Sequence, residues 1–266
     1  MTAYYNEFDP FAAAWLRELI KDGLIADGIV DERSISDVQP KDLEGFTQCH
    51  FFAGIGGWSA AARLAGWDDE RPMWTGSPPC QPFSTAGNRK GQDDERHLWP
   101  VFFDLIRECA PPVVFGEQVA AAIRTGWFDD LQNDMEAEGY ASAMAVLPAC
   151  SVGAPHKRDR LFYVAERVAD AHGSRQREQR EFRRSSYKAE DEDREVNRVV
   201  EADTLSNFWA GSEYIYCRDG KERQIPTEPA LFPLAHGLPN RVGTLRGAGN
   251  AIVPQVAAEI IKAYMG

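Results

Sequence analysis

The alternation of apolar and polar positions along the chain predicts helices and strands that follow one another in turn. Apolar side chains recur at helical spacing over residues 9–23, where Asp9 is a helix cap, Pro10 takes the first helical position and Gly23 ends the helix. The apolar run "TQCHFF" predicts a buried strand, and the glycine turn "AGIGG" and the small-residue stretch "WSAAARLAG" predict a turn and a helix after it. Residues 29–45 are predicted as loop and turn.

The rest of the chain continues this alternation until its composition changes near Ala169. Strands are predicted at residues 72–76, 111–119, 141–150, 158–166 and 208–220, and helices at 97–109, 126–140 and the C-terminal end. Strands that alternate with helices indicate an α/β protein with a mainly parallel sheet.

Length, composition and charge narrow the class of protein. The chain has 266 residues, 44% of them hydrophobic, enough for one large domain or a core domain with a smaller one. No apolar run is long enough for a membrane span, and an acid stands near the start where a signal peptide carries basic residues, so an intracellular protein is expected. A net charge of −12 disfavours a non-specific nucleic-acid coat but permits a local basic face.

One of the five cysteines has neighbours that suggest chemistry. The cysteines show no CxxC pair and no metal-ligand spacing, so neither disulfides nor a metal site is predicted. Cys80, however, lies among Pro78, Pro79 and Pro82, whose restricted backbones would hold its thiol in one pose. Such positioning suits a nucleophile, whereas an inert thiol in a structural turn is the alternative.

Three further segments carry candidate chemistry. The turn "FFAGIGG" lets a ligand approach the backbone closely, although a turn without a ligand has the same pattern. Glu117 ends an apolar strand, where partial burial would raise its pKa and allow it to donate a proton. Arg158 and Arg160 lie two apart at a strand start, so in extended structure they would point to one side and together clamp an acid or a base edge.

Taken in order, "FAGIGG", "GSPPCQPFS", "GEQV", "GAPHKRDR" and "GNAIVPQVA" resemble the motifs of the DNA (cytosine-5) methyltransferases, in the short form that phages and prophages encode. The resemblance covers residues 47–168 and continues from about residue 237 to the end. It implies a shortened class I methyltransferase (Rossmann-like) sheet, with a small target-recognition region inserted before the C-terminal segment. The expected parts are an N-terminal helix and cover segment (1–46), a catalytic domain (47–168), a target-recognition region (169–235) and a returning C-terminal segment (236–266).

The resemblance also implies a mechanism and a cofactor. A target cytosine is flipped out of double-stranded DNA, the Cys80 thiolate attacks its carbon 6, and carbon 5 takes a methyl group from S-adenosylmethionine. Glu117 then holds ring nitrogen 3 and the exocyclic amine, Arg160 contacts the flipped base, and Arg158 supports Arg160. No metal is implied, and the chain is expected to act as a monomer.

Further site residues follow from the same motif matches. The residues expected at the cofactor are Phe52, Ala53, Gly54, Ile55, Gly56, Gly57, Pro79, Asn250 and Ile252. Residues 84–96 match a mobile loop that closes over DNA, and the residues expected at DNA are Gln81, Ser84, Arg89, Lys90 and Arg96.

The sequence departs from the family pattern in three places. Gln118 replaces the usual asparagine and His156 the usual glutamine; both are expected to hold the scaffold, with His156 as a second catalytic base the alternative. The third departure is the spacing from Phe52 to Cys80, which is too short for the two strand–helix units that carry the acids for the cofactor's ribose and adenine. We hypothesise that Asp31, or an acid near it, replaces one of these contacts; otherwise residues 1–46 only cover a sheet edge, and the acids of residues 68–70 form a solvated turn.

The segment after Ala169 leaves several questions open. Residues 171–200 contain eight basic and seven acidic residues and few apolar ones, which is typical of a solvated or partly disordered insertion. The small target-recognition region contains either a minimal major-groove reader or little sequence specificity. Two alternative functions also stay open: a cytosine-modifying enzyme that acts on RNA or uses an altered donor, and an inactive DNA-binding protein that flips bases.

Overall fold

A computed structural model describes residues 2–79, 98–154, 156–168, 212–216, 222–226, 249 and 251–266. Seven of the strands in these ranges form one sheet, and two short strands pair separately. The strands are β1 (Ala3–Asn6), β2 (Gly28–Asp31), β3 (Gln48–Phe51), β4 (Met73–Gly76), β5 (Val113–Val119), β6 (Tyr140–Leu147), β7 (Arg160–Arg167), β8 (Ser212–Tyr216) and β9 (Glu222–Pro226).

Five α-helices occur in the described ranges, and each lies where the periodicity predicts a helix. In the first, the Asp9 carboxylate accepts hydrogen bonds from the backbone N–H groups of Phe11 and Ala12 at 2.9 and 3.1 Å, so the predicted cap is confirmed. The helices are α1 (Pro10–Lys21), α2 (Gly57–Ala65), α3 (Trp99–Cys109), α4 (Trp127–Ala137) and α5 (Pro254–Met265). None of these helices is long and apolar enough to cross a membrane.

The large sheet has the order β2-β1-β3-β4-β5-β7-β6. The pairs from β2 through β5 are parallel, and β7 is antiparallel to both β5 and β6. The α/β fold with a mainly parallel, Rossmann-like sheet is therefore confirmed. With seven strands, the sheet itself is not short, although the spacing from Phe52 to Cys80 is.

The N-terminal segment contributes strands as well as a helix. Residues 1–46 were expected to form a helix and loops that cover a sheet edge, and residues 29–45 to contain no strand. Instead β1 lies inside the sheet, between β2 and β3, and β2 is the edge strand. The register places Asn6 directly between Asp31 and Phe51, so the carboxyl ends of β2, β1 and β3 are level.

The two faces of the sheet are covered by different helices. One face packs against α1, α2 and α5, and there the Tyr5 hydroxyl contacts Ser59 of α2 while Tyr5 shares an apolar cluster with Leu16 of α1. The opposite face packs against α3 and α4, with Phe102 of α3 stacked on Trp74. Both faces of the inner strands β1, β3 and β4 are thus buried, whereas the edge strands β2 and β6 keep exposed side chains.

The two N-terminal crossovers have opposite hands. Helices α1 and α2 lie on the same face, yet the chain moves from β1 to β2 toward one edge and from β3 to β4 toward the other. Helix α3 lies on the other face, and the chain moves from β4 to β5 in the same direction as from β3 to β4. The crossover β4–α3–β5 therefore has the same hand as β1–α1–β2. Since such crossovers are almost always right-handed, the unit β3–α2–β4 is the exception.

A small two-stranded sheet is described between β7 and α5 along the chain. Strand β8 confirms the β structure predicted for residues 208–220, and it pairs antiparallel with β9. The charged tract of residues 171–200 and most of the expected target-recognition region lie outside the described residues.

Candidate active site

The segment that leads to the predicted nucleophile is fixed by hydrogen bonds from three other elements. The Tyr163 hydroxyl donates to the Gly76 carbonyl at 3.0 Å. Ser77 Oγ accepts from the Trp58 indole N–H at 3.1 Å and from a backbone N–H of β5 at 3.2 Å. Gln118 Nε2 donates to the Pro78 carbonyl at 3.0 Å. Cys80 itself lies outside the described residues, but the chain that reaches it is held at three successive positions.

The Tyr163 contact depends on a glycine in the intervening strand. Tyr163 in β7 pairs with Gly116 in β5, and Gly76 lies in β4 on the far side of β5. A Cβ atom at Gly116 would overlap both the Tyr163 ring and the Gly76 carbonyl oxygen. The missing side chain therefore lets the tyrosine cross one strand and bond to the next.

Glu117 lies at the carboxyl end of β5, in a salt bridge with Arg160. Arg160 Nε lies 2.7 Å from Glu117 Oε1, and the two side chains are only 25% and 13% exposed. Arg160 pairs with Val119 in the register, so it lies on the same side of the sheet as Glu117. Burial raises the Glu117 pKa, and the positive charges of Arg160 and Arg158 oppose that shift. The predicted acid and the predicted base-contacting arginine therefore act on one another directly.

Arg158 contacts the C-terminal segment. Its φ of 40° is left-handed, so the extended backbone predicted for Arg158 and Arg160 is wrong at Arg158. Its guanidinium donates to the carbonyls of Gly249 and Ala251 at 3.0 and 2.7 Å. Arg158 thereby ties the C-terminal segment to the start of β7.

The glycine turn after β3 exposes backbone. Phe52, Gly54 and Gly56 have φ values of 53°, 56° and 81°, and a Cβ atom at Gly54 would find nothing closer than a carbonyl oxygen at 4.0 Å. At Gly57 a Cβ atom would come within 2.7 Å of the Ile252 side chain, so Ile252 packs against this turn as predicted. The turn leaves room for a ligand at Gly54, whereas at Gly57 it is packed against Ile252.

The loop after β1 contacts the same turn, and sequence reasoning missed it. Glu7 Oε2 accepts from the Gly54 N–H at 2.7 Å, and Glu7 Oε1 accepts from the Asp9 N–H at 2.8 Å. The signal that could have found this acid is its place between the aromatic pair Tyr4–Tyr5 and the capped helix α1.

Asp31, the hypothesised replacement for a cofactor acid, ends β2 at the edge of the sheet. Its carboxylate accepts from the Tyr4 hydroxyl at 2.6 Å and from Arg33, which also bonds to Asp42 at 3.0 Å. Burial raises the Asp31 pKa, but the hydrogen bonds from Arg33 and Tyr4 outweigh burial and lower it to about 2. Asp31 is thus an ionised group held within a local cluster.

The structure brings some predicted site residues together and leaves others undescribed. Glu117 meets Arg160, and Ile252 meets the glycine turn. His156 is exposed. Outside the described residues lie Cys80, Gln81, Ser84, Arg89, Lys90, Arg96 and Asn250.

The exposed backbone of the glycine turn and the nearby Glu7 carboxylate fit the polar groups of a nucleoside cofactor. Among the residues that the structure describes, no group of three or more His, Cys, Asp or Glu side chains is arranged to hold a metal ion.

The fold and the site define a Rossmann-like α/β protein with a partly buried carboxylate–guanidinium pair beside the fixed segment Gly76–Pro78. Residues 68–230 match the family of C-5 cytosine-specific DNA methylases, a stretch of more than half of the chain. The chain therefore belongs to that family.

Individual relatives are similar over parts of their length. The Type II methyltransferase M.AplI of Arthrospira platensis is 34% identical over 96 residues, 35% of this chain and 28% of that protein. M.HhaI of Haemophilus parahaemolyticus is 28% identical over 172 residues, 49% of this chain and 52% of that protein. The chain thus spans from about a quarter to about half the length of these two relatives.

Solved structures are similar at lower identity. The structure of a Spodoptera frugiperda DNMT2 mutant is 12% identical, with a TM-score of 0.40 over 67% of this chain and 54% of that one. A putative DNA modification methyltransferase encoded within an Escherichia coli prophage is 17% identical, with a TM-score of 0.39 over 63% and 47%.

Proposed function

We propose that this chain is a DNA cytosine-5 methyltransferase that modifies a cytosine flipped out of double-stranded DNA. The observation that carries the proposal is the partly buried Glu117–Arg160 pair, which lies beside the fixed segment leading to "PPCQ" in a member of this family. The protein acts inside the cell as a monomer.

Glu117 recognises the flipped base. A carboxyl whose pKa is raised by burial is able to hold a proton and donate it to ring nitrogen 3, while its other oxygen accepts from the exocyclic amine. Arg160 fixes the orientation of this carboxyl through the 2.7 Å contact and contacts the base. Both groups stabilise the charge that develops on the ring during attack.

Cys80 supplies the nucleophile. Its thiolate sulfur forms a bond to carbon 6, and the electron density that moves to carbon 5 takes up the methyl group. Loss of the carbon 5 proton to a base then restores the double bond and expels the thiolate. The methyl group would come from S-adenosylmethionine, the electrophile that the family uses, whose sulfonium–methyl bond would break to leave S-adenosylhomocysteine.

The other predicted site residues hold the cofactor and contact DNA. The glycine turn holds the cofactor with Pro79, Asn250 and Ile252, and Asp31 contacts it from the edge of the sheet. Gln81, Ser84, Arg89, Lys90 and Arg96 contact DNA from a loop that closes over it. Residues 169–235 read the target sequence.

Mechanism-based trapping tests this proposal. The chain is incubated with S-adenosylmethionine and duplex DNA that contains 5-fluorocytosine, and the mixture is run on a denaturing gel. We expect a covalent adduct, because fluorine cannot leave carbon 5 as a proton does. Cys80→Ala is expected to form no adduct but still to bind DNA.

Three outcomes would contradict the proposal. An adduct with RNA and none with DNA would change the substrate, no adduct with either would favour a binding protein, and an adduct in Cys80→Ala would remove the proposed nucleophile. Mass spectrometry of the product base identifies the group transferred.

A further inference from the structure

The strand order marks a crevice between β1 and β3. These neighbouring parallel strands send the chain in opposite directions, since β1 leads outward to β2 and β3 leads inward to β4. In open α/β sheets, ligands bind in the crevice outside the carboxyl ends of two such strands. The loops that flank this crevice are Glu7–Asp9 after β1 and the glycine turn after β3.

The two loops are joined by hydrogen bonds across this crevice. The Ala53 N–H donates to the Asn6 carbonyl at 3.1 Å, and the Gly54 N–H donates to Glu7 Oε2 at 2.7 Å. A carboxylate has about four acceptor positions, and the bonds from Gly54 and Asp9 occupy two of those on Glu7. Glu7 is therefore an acid fixed at the turn with acceptor capacity to spare, which suits the two hydroxyls of a ribose.

An exposed aromatic residue follows this acid directly. Phe8 is 73% exposed, the highest exposed fraction among the large apolar side chains of the described residues that lie at the surface. Exposure of a phenyl ring next to a fixed carboxylate at a ligand crevice provides a surface on which a purine base can stack.

We propose that the unit β1–α1–β2, which precedes the glycine turn in the chain, forms the adenosine-binding wall of the cofactor cleft. Glu7 accepts hydrogen bonds from the ribose hydroxyls, and Phe8 stacks on the adenine. The inference rests on the proposed function, because it takes the ligand to be an S-adenosyl compound. The family match begins at residue 68 and so assigns nothing to this unit.

This placement accounts for the short spacing between the glycine turn and Cys80. Strands β1 and β2 occupy the positions on the outer side of β3 in the sheet, but they precede the glycine turn in the chain, so residues 53–79 do not need to contain them. The left-handed β3–α2–β4 crossover is the topological consequence, because β3 must connect directly inward to β4 once β1 and β2 already occupy the positions on its outer side.

Calorimetric titration with S-adenosylhomocysteine, without DNA, tests the inference on the full chain. Phe8→Ala is expected to weaken binding roughly tenfold, in line with the loss of one base–aromatic stack. Glu7→Gln, which keeps one acceptor oxygen, is expected to weaken binding about tenfold through loss of the charged acceptor. Phe8→Trp retains an aromatic surface and should bind as the wild type does.

Matched controls separate a local effect from a general one. Leu24→Ala removes another exposed apolar side chain, 59% exposed, in the turn that precedes β2, and Glu18→Gln removes an exposed acid of α1. Both controls should bind like the wild type. Thermal unfolding of Phe8→Ala and of the controls should be unchanged, whereas Glu7→Gln loses one of its two backbone hydrogen bonds and should unfold roughly 2–4 °C earlier.

The outcomes distinguish this inference from the proposed function. Wild-type affinity in both Phe8→Ala and Glu7→Gln, or equal weakening in the controls, would overturn the inference while the proposed function stands. A wild-type chain that binds no S-adenosylhomocysteine and forms no adduct with 5-fluorocytosine DNA would overturn the proposed function itself.

Discussion

Replacement of Gly116 by alanine tests whether the segment before Cys80 is held in place by Tyr163. The new methyl group would overlap the tyrosine ring and the Gly76 carbonyl oxygen, so one of them must move. Overpacking of a core typically costs about 1–3 kcal/mol. Displacement of Tyr163 also breaks the 3.0 Å hydrogen bond to Gly76, worth about 1 kcal/mol. We therefore expect a loss of about 3 kcal/mol in the free energy of unfolding.

Differential scanning calorimetry measures this loss. A change of 1 kcal/mol shifts Tm by roughly 2–4 °C in a chain of this size, so Gly116→Ala should unfold about 6–12 °C earlier. Tyr163→Phe breaks only the hydrogen bond and should lower Tm by roughly 2–4 °C. Gly249→Ala is the matched control, because a Cβ atom there meets nothing within 4 Å.

A double-mutant cycle decides whether the two positions act together. In a Tyr163→Leu background the ring is gone, so Gly116→Ala should cost less than it does in the wild type, although the overlap with the Gly76 carbonyl remains. Equal costs in both backgrounds, or a Gly116→Ala chain with wild-type Tm, would refute the reasoning. The rate of adduct formation with 5-fluorocytosine DNA should fall in the same order as Tm.

Two further predictions concern the site and the chain order. Burial raises the folded-state pKa of Glu117, so the native state binds its proton more tightly and stability falls as pH rises from the ordinary carboxyl value through the folded one. Arg160→Met removes a positive charge that lowers the Glu117 pKa, so this pKa rises further and the pH range over which stability falls extends upward. The free energy of unfolding, measured with denaturant, should fall by about 2 kcal/mol at pH 8 and by less at pH 5, and equal losses would contradict this expectation. A chain in which residues 2–46 are moved to follow residue 71 should fold and bind S-adenosylhomocysteine, because Thr47 bonds to Thr2, Asp69 and Met73; a circular dichroism spectrum without α/β content would contradict it.

Local signals in the sequence were sufficient for most of the helices and strands. The cap at Asp9, the proline at the first helical position and the helical period predict α1 correctly. Strands β1 and β2 were missed although β3 and β4, which also have four residues each, were predicted. Strand β1 ends in Asn6, a buried polar residue, and β2 begins at a glycine that lies against the Ala3 carbonyl, so neither strand reads as an apolar run.

The chemistry of single residues was easier to predict than their pairing. Glu117 could be proposed from its place at the end of an apolar strand, but its contact with Arg160 depends on the antiparallel register of β5 and β7. The Tyr163–Gly76 bond depends on a missing side chain in the strand between them, which no local pattern indicates. The role of Arg158 depends on carbonyls more than 90 residues away along the chain.

The position of β1 in the sheet is determined by contacts rather than by its place in the chain. Tyr5 stacks on His50 with ring centroids 5.0 Å apart, and the Asn6 carbonyl accepts from Ala53 at 3.1 Å. These contacts would form equally well if β1 followed the glycine turn, because they depend on the register with β3 and not on the direction of entry. The short spacing from Phe52 to Cys80 therefore does not by itself exclude the proposed cofactor site, since parallel strands can be supplied to a sheet in either order provided that their carboxyl ends meet at the same edge.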